Sequence, residues 1–326
     1  MSRKAAFSYR GDATVGAMVD ARLREAGYVR AEVGEADVVV TYCTSQTALE
    51  DAYFDDEGLV QQARKGCLLV DLSPSTPSFA RELNAVAVVS DLATVEAPIA
   101  VRDLSRPDAF ADRSNLVCFM GGEEDAVRAA AGVVAAVAGE VRETGGPGSA
   151  QLARASHTLQ TVAQVVSAVE ADALRRAVGG SMTAPDRMEG RTEAASPTAR
   201  QVLSAVESGG FEGSYTVEML MAELTAALTA ADDVDLILPQ AEACLHLLEL
   251  LAVIGGADKG PAALSLVYGE EAACAEQGLD WTRAEQAYGG SEEEDFGEDD
   301  EDLDRDYDYG AGLYPGYPGY PGYSAN

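Results

Sequence analysis

The rhythm of apolar and polar positions changes once along the chain. Up to residue 148, short apolar runs rich in β-branched residues alternate with stretches whose apolar positions recur at helical spacing. Residues 5–9 (AAFSY), 37–41 (DVVVT), 67–72 (CLLVDL), 86–89, 95–99, 116–120 and 140–143 read as strands. Residues 15–26, 48–65, 78–83 and 123–138 read as helices. After its opening acid DVVVT is almost wholly apolar, which suits a parallel strand covered on both faces. Gly27 and Gly66 stop the first two helices, and Pro77 suits a helix start. The helix over 123–138 opens on acids, which favour its positive end. Strands alternating with helices predict a parallel sheet layered with helices. The segment 145–149 (GGPGS) is a break, and beyond it only helical spacing remains, over 150–178, 198–207, 216–231, 239–254 and 261–277. A polar loop at 179–197 separates the first two of these.

The chain therefore reads as an α/β half followed by an all-α half. Its 326 residues are about twice the ~150 expected of one domain. We expect a sheet domain over 1–148, an all-α domain over 149–288 and a disordered tail over 289–326. The tail is low in complexity: an acidic run, then Tyr-Pro-Gly three times from Tyr314. Proline blocks helix and ladder, glycine raises chain entropy and like charges repel. A tyrosine-rich tail of this kind is also a candidate recognition segment for a partner groove.

Charge narrows the function classes. The net charge is -32, and residues 291–309 hold twelve acids against Arg305 alone, so most of the excess lies on the body. Such a surface repels phosphate backbones and anionic lipid, which argues against nucleic-acid and membrane-surface partners. No apolar run reaches the ~18 residues of a membrane span. The opening MSRKAAFSYRGD has no long apolar stretch, so no signal peptide is expected. Cys43, Cys67, Cys118, Cys244 and Cys274 are odd in number and scattered, without CxxC. They read as free buried thiols of a cytoplasmic protein, with no metal site.

Residues 37–60 (DVVVTYCTSQTALEDAYFDDEGLV) and 67–83 (CLLVDLSPSTPSFAREL) resemble consecutive segments of the β-hydroxyacid dehydrogenases. This is the family of 3-hydroxyisobutyrate and 6-phosphogluconate dehydrogenases. VEAPIA at 95–100 is similar to its substrate-binding segment. Segments 120–137, 146–158 (GPGSAQLARASHT) and 211–228 (FEGSYTVEMLMAELTAAL) follow in the expected order, and the likeness spans roughly residues 5–275. The resemblance implies a Rossmann-like sheet domain, an all-α domain through which subunits pair as a homodimer, NAD or NADP as cofactor, and a small-molecule ligand in the interdomain cleft.

Against that pattern the chain departs in its chemistry. The family's GxGxxG turn lets a pyrophosphate approach a helix N-terminus. Here it runs from Gly11 through Ala13 to Gly16, with a Cβ at the middle position. An ordinary strand-to-helix turn is the competing reading. Only residues 28–36 separate Gly27 from the DVVVT strand, where the family carries a second strand, a helix and another strand. Nine residues cannot hold that crossover, so one short strand within 29–33 is the most expected there. The Rossmann-like domain is thus a truncated one, lacking the part that reads the adenosine ribose.

Ala100, Val101 and Arg102 stand where the family has Ser and two Gly. Arg154 and Thr158 match its catalytic Lys and Asn, and Ala222–Glu223 matches a Lys-Asp pair. Lys can donate a proton, whereas Arg stays protonated. Arg154 and His157, three apart on one helix, are a candidate clamp and acid–base pair with Thr158 beside them. A surface Arg and a packed His are the competing reading. His246 reads as a core histidine. Thr44, Ser45 and Gln46, and Ser73, follow strands whose ends hold ligands in parallel sheets, and they read equally as helix caps.

Three function classes follow. The first is a non-catalytic or ligand-binding descendant (a pseudoenzyme) that keeps fold and dimer. The second is an active NAD(P)-dependent oxidoreductase on a small carbonyl or hydroxy acid, using His157 or a Tyr. The third is an enzyme of other chemistry that uses the cleft without a dinucleotide.

Overall fold

The computed structural model describes residues 5–181 and 194–288. The tail expected at 289–326 and most of the loop expected at 179–197 lie outside the described residues. The first half runs β1 (Ala6–Gly11), α1 (Ala13–Glu25), β2 (Val29–Arg30), β3 (Val38–Tyr42), α2 (Gln46–Phe54), α3 (Leu59–Gln62), β4 (Leu68–Asp71) and α4 (Pro77–Val89). It continues with β5 (Ala93–Glu96), β6 (Ile99–Val101), β7 (Leu116–Gly122), α5 (Glu124–Val137) and β8 (Glu140–Gly145).

The strands form one sheet in the order β2-β1-β3-β4-β5-β7, with β6 and β8 also paired to β7. From β2 to β5 all pairing is parallel, whereas β5 and β6 meet β7 antiparallel, so the sheet is mixed rather than purely parallel. The break between β5 and β6 falls at Pro98, which has no N–H to give a ladder. Its carbonyl accepts from Phe119 N at 3.2 Å.

Three expectations are corrected. Residues 86–89 are not a strand but the end of α4. Thr76 caps that helix, Pro77 starts it, and Phe79, Leu83 and Ala87 bury one face, so a well-punctuated amphipathic helix overrides the β preference of valine. Val88 and Val89 consequently point to solvent. The helix expected over 48–65 is two helices, because the acidic, Gly-bearing Asp55–Asp56–Glu57–Gly58 stretch ends α2 before α3. The helix expected over 261–277 is a 3-10 segment, Pro261–Tyr268, and a separate short α-helix after Gly269.

The gap after Gly27 holds the two-residue β2 and one 3-10 turn, Val33–Glu35. β2 pairs only with Ala6 and Phe7. Beyond it the chain is pinned at once, because Asp37 accepts from Ala6 N and pairs with Arg64.

The second half is helical: α6 (Ser149–Ser181), α7 (Pro197–Ser208), α8 (Val217–Asp232), α9 (Pro239–Leu251), α10 (Glu271–Glu276) and α11 (Thr282–Tyr288). α6 packs on both the sheet and α8. A single apolar core runs from Phe7 and Val40 through Val162 and Leu224 to Leu248 and Ala284. A smaller cluster around Val39, Leu69 and Phe79 covers the other sheet face. All five cysteines are buried free thiols. Among the described residues no single helix is long and apolar enough to cross a membrane.

Candidate functional site

At the carboxyl ends of β3 and β4 the loops face α8 across a cavity of about 260 Å³. Thr44, Ser45, Gln46 and Thr76 line it from the sheet side, and Glu218, Met221 and Ala222 line it from α8. Two of the hydroxyls are helix caps: Ser45 Oγ accepts from Ala48 N at 3.2 Å, and Thr76 Oγ1 from Phe79 N at 3.1 Å. Thr44 opens onto the cavity. Ser73 does not line it; its Oγ accepts from Cys43 N at 2.9 Å and ties the two loops together beneath the surface.

One turn deeper, the structure brings Arg154 and Thr158 together with two residues of the α8 region. Arg154 is 3% exposed. Its Nε donates to Ile99 O at 2.8 Å, one terminal nitrogen donates to Thr158, and the other pairs with Glu223. Glu223 also accepts from Tyr215 Oη at 2.8 Å. Burial lowers the Arg154 pKa, but the Glu223 carboxylate outweighs it and holds the guanidinium charged. Burial likewise pushes the Glu223 carboxyl up, against the pull of Arg154 and the Tyr215 hydroxyl. Every guanidinium nitrogen of Arg154 is therefore engaged within the protein.

His157 does not join them. Its ring packs on Phe119, centroids 5.9 Å apart, with Thr161 Oγ1 3.4 Å from Nδ1. Burial, then the Arg154 and Arg142 charges, push its pKa down to about 4, so it is neutral at physiological pH. His246, expected in the core, is exposed and faces Glu249 at 3.1 Å, because its side of α9 is not the side that buries Cys244 and Leu248.

The turn after β1 is closed by its own side chains. Gly11 has φ +127°, and a Cβ there would lie 1.8 Å from Tyr42 O, so glycine is needed for β1 to approach β3. Asp12 caps α1, its carboxylate accepting from Val15 N at 2.9 Å, and Ala13 begins the helix. A Cβ on Gly16 would meet the Tyr9 ring at 2.5 Å. Tyr9 Oη donates to Asp12 O at 2.7 Å, and Tyr42 is buried at the end of β3.

Residues 5–146 match the family described as the NAD binding domain of 6-phosphogluconate dehydrogenase. Over 260 residues, 75% of this chain and 83% of the relative, the chain is 25% identical to the NAD-dependent L-serine dehydrogenase of Pseudomonas aeruginosa. It is 24% identical to the oxidoreductase YkwC of Bacillus subtilis, over 69% of this chain and 77% of that one. The fold is that of Mycobacterium tuberculosis 3-hydroxyisobutyrate dehydrogenase solved with L-serine, with a TM-score of 0.66 at 20% identity, covering 82% of this chain and all of the other. These likenesses support a distant β-hydroxyacid dehydrogenase relative whose first half matches that family's NAD-binding domain. NAD or NADP is the cofactor that this likeness implies.

Two acids of this β-hydroxyacid dehydrogenase relative were not singled out by sequence spacing. Asp71 and Glu96 are register partners on β4 and β5, both buried. Glu96 accepts from Ala150 N and Gln151 N, each at 3.1 Å, capping α6 where the helical half begins. Gln151 then bridges Ser73 O and Ser75 N, each at 3.0 Å. Burial pushes the Asp71 carboxyl up to about 7, against its hydrogen bonds from Ser73 and with the nearby Glu96 charge adding to the rise. An acid inside the apolar CLLVDL run was the available signal.

Two predictions follow from this geometry. Replacing Arg154 by Met strands the Glu223 carboxylate and should cost about 3–5 kcal/mol in urea denaturation, while Arg154→Met with Glu223→Leu should recover much of the loss. An unchanged midpoint for the single variant would refute the pairing. Second, between about pH 4 and pH 7 the folded chain holds a proton on Asp71 that the unfolded chain has lost, so stability should fall as pH rises through that window. Asp71→Asn should remove about 2–4 kcal/mol of this decline, read from denaturation at about pH 5 and pH 8. Parallel pH profiles for the two proteins would refute it.

Proposed function

We propose that this chain is a non-catalytic family member that keeps the oxidoreductase fold and holds a small molecule between the strand ends and α8. The observation that carries the reading is the closed Arg154–Glu223–Tyr215–Thr158 network at the positions where the resemblance implies a catalytic Lys, an Asn and a Lys-Asp pair. The Arg154 nitrogens, the Thr158 and Tyr215 hydroxyls and Glu223 Oε2 are each engaged with another protein group in a buried setting. A charged, fully engaged Arg is a poor proton donor.

The residues present do not fit a dinucleotide. The Asp12 carboxylate already takes the helix N-terminus that would attract a pyrophosphate, and it adds negative charge at that point. Ala13 stands at the middle glycine position. β2 ends after two residues, and its one basic side chain, Arg30, is already paired with Asp20 at 3.1 Å and lies over the Phe7 ring. The Tyr9 ring packs against Gly16 beside the turn, 2.5 Å from where a Cβ would lie. The reading in which His157 serves as acid or base is disfavoured by its neutrality and by its place on Phe119.

Titrating the purified protein with NADH and NADPH, followed by cofactor fluorescence, should give no saturable signal at millimolar concentration. Saturable binding of either would overturn the proposal. Pairing through the all-α half is the second part of the reading. It is supported by the exposed apolar side chains Val234, Leu236 and Ile237 between α8 and α9. Sedimentation equilibrium at micromolar concentration should give a homodimer, and a monomer would remove this part.

A further inference from the structure

The cavity against α8 has the wrong polarity for the anionic ligands that a hydroxy-acid dehydrogenase fold serves. None of its lining residues is Lys or Arg, and its one charged residue is Glu218. Neither the Glu218 carboxylate nor the Thr44 hydroxyl has a hydrogen-bond or ion-pair partner among the described residues. The hydroxyls of Ser45 and Thr76 already accept backbone N–H groups. Gln46 Nε2 donates one N–H to Glu50 at 2.8 Å, which leaves its second N–H and Oε1 spare. Hydroxyls, including those of Thr225 and Thr229, supply both donors and acceptors here, so what the lining lacks is a positive charge to offset Glu218. Between these groups Met221, Ala222 and Ala226 form an apolar floor.

The neighbouring elements reinforce the sign. α8 and α2 contain no basic residue, and α2 carries Glu50 and Asp51. Asp233, just past α8, holds Ser78 Oγ at 2.5 Å, and Ser78 is in turn bonded to Thr76 at 2.8 Å. A carboxylate or phosphate entering here would meet the Glu218 charge with no lining cation to compensate. An ammonium group would bring the opposite charge and donate to the Glu218 carboxylate.

We propose that this cavity binds a small alkylammonium ligand, its cation on Glu218 and the Thr44 hydroxyl, its alkyl part on Met221 and Ala222. This rests on the reading of a cleft that holds a small molecule without a dinucleotide. At about 260 Å³ the cavity lies below the ~300–1,000 Å³ of drug-sized sites, which limits the ligand to a short chain.

Butylamine, butanol and butyrate form an isosteric probe series for calorimetric titration of the full chain. Butylamine should bind saturably at millimolar concentration or tighter, and butyrate should not. Glu218→Gln should weaken the amine by about tenfold or more, the scale of one charge-assisted hydrogen bond. Glu124→Gln, on the exposed start of α5, removes an equal charge elsewhere and should leave binding unchanged. Ala222→Phe, with folding checked by circular dichroism, should abolish binding by filling the floor. Butyrate binding as tightly as butylamine, equal losses in the two Glu→Gln variants, or no saturable amine binding would each overturn the proposal. If NADPH fails to bind in the same preparation, such a result leaves the non-catalytic reading standing. Saturable NADPH binding would instead remove the reading beneath it.

Discussion

Arg154 is a charge held where water does not reach, and its burial is tolerable only because Glu223 meets it. That constraint orders the joint between the two halves. α6 leaves the sheet under Glu96, which caps its first N–H groups. Just over a turn later, Arg154 reaches back to Ile99 O and across to α8. Sheet, long helix and α8 are thus linked by two buried carboxylates acting on one helix. In the reading proposed above, the positions to which the family resemblance assigns chemistry hold the architecture together here.

The same constraint bears on what remains open to ligands. With the deeper polar groups satisfied by one another, the space left at the strand ends is shallow, lined by Thr44 and capping hydroxyls and walled by α8. Its floor is apolar and its rim acidic. The turn after β1 is braced by Asp12, which caps α1, and by Tyr9, which donates to Asp12 O and packs on Gly16.

Much of the fold was legible where residues impose hard limits. Gly27, Pro77 and the GGPGS break punctuate elements because their backbone options are narrow. The nine residues after Gly27 limit the structure by length alone, and only two of them pair as a strand. The misread segments were those decided by packing. Val86 to Val89 are strand-like residues carried along by the buried face of α4. Within the site, Thr158 was legible beside Arg154 because four residues return to nearly the same helix azimuth. His157, three residues on, is rotated about 60° from Arg154, enough to turn it onto Phe119. Tyr9 and Tyr42 gave no periodic signal, since an aromatic in a buried strand looks like ordinary core.

The two-residue β2 has a structural corollary. It lies at the outer edge of the sheet, so excising the unit beyond it leaves the β1–β3–β4 registers untouched. A change at that edge touches no interior neighbour. Remodelling the Arg154 joint would differ in kind, since strand, long helix and α8 must change in concert. The sheet thus tolerates alteration at its margin far more readily than at the seam with the helical half.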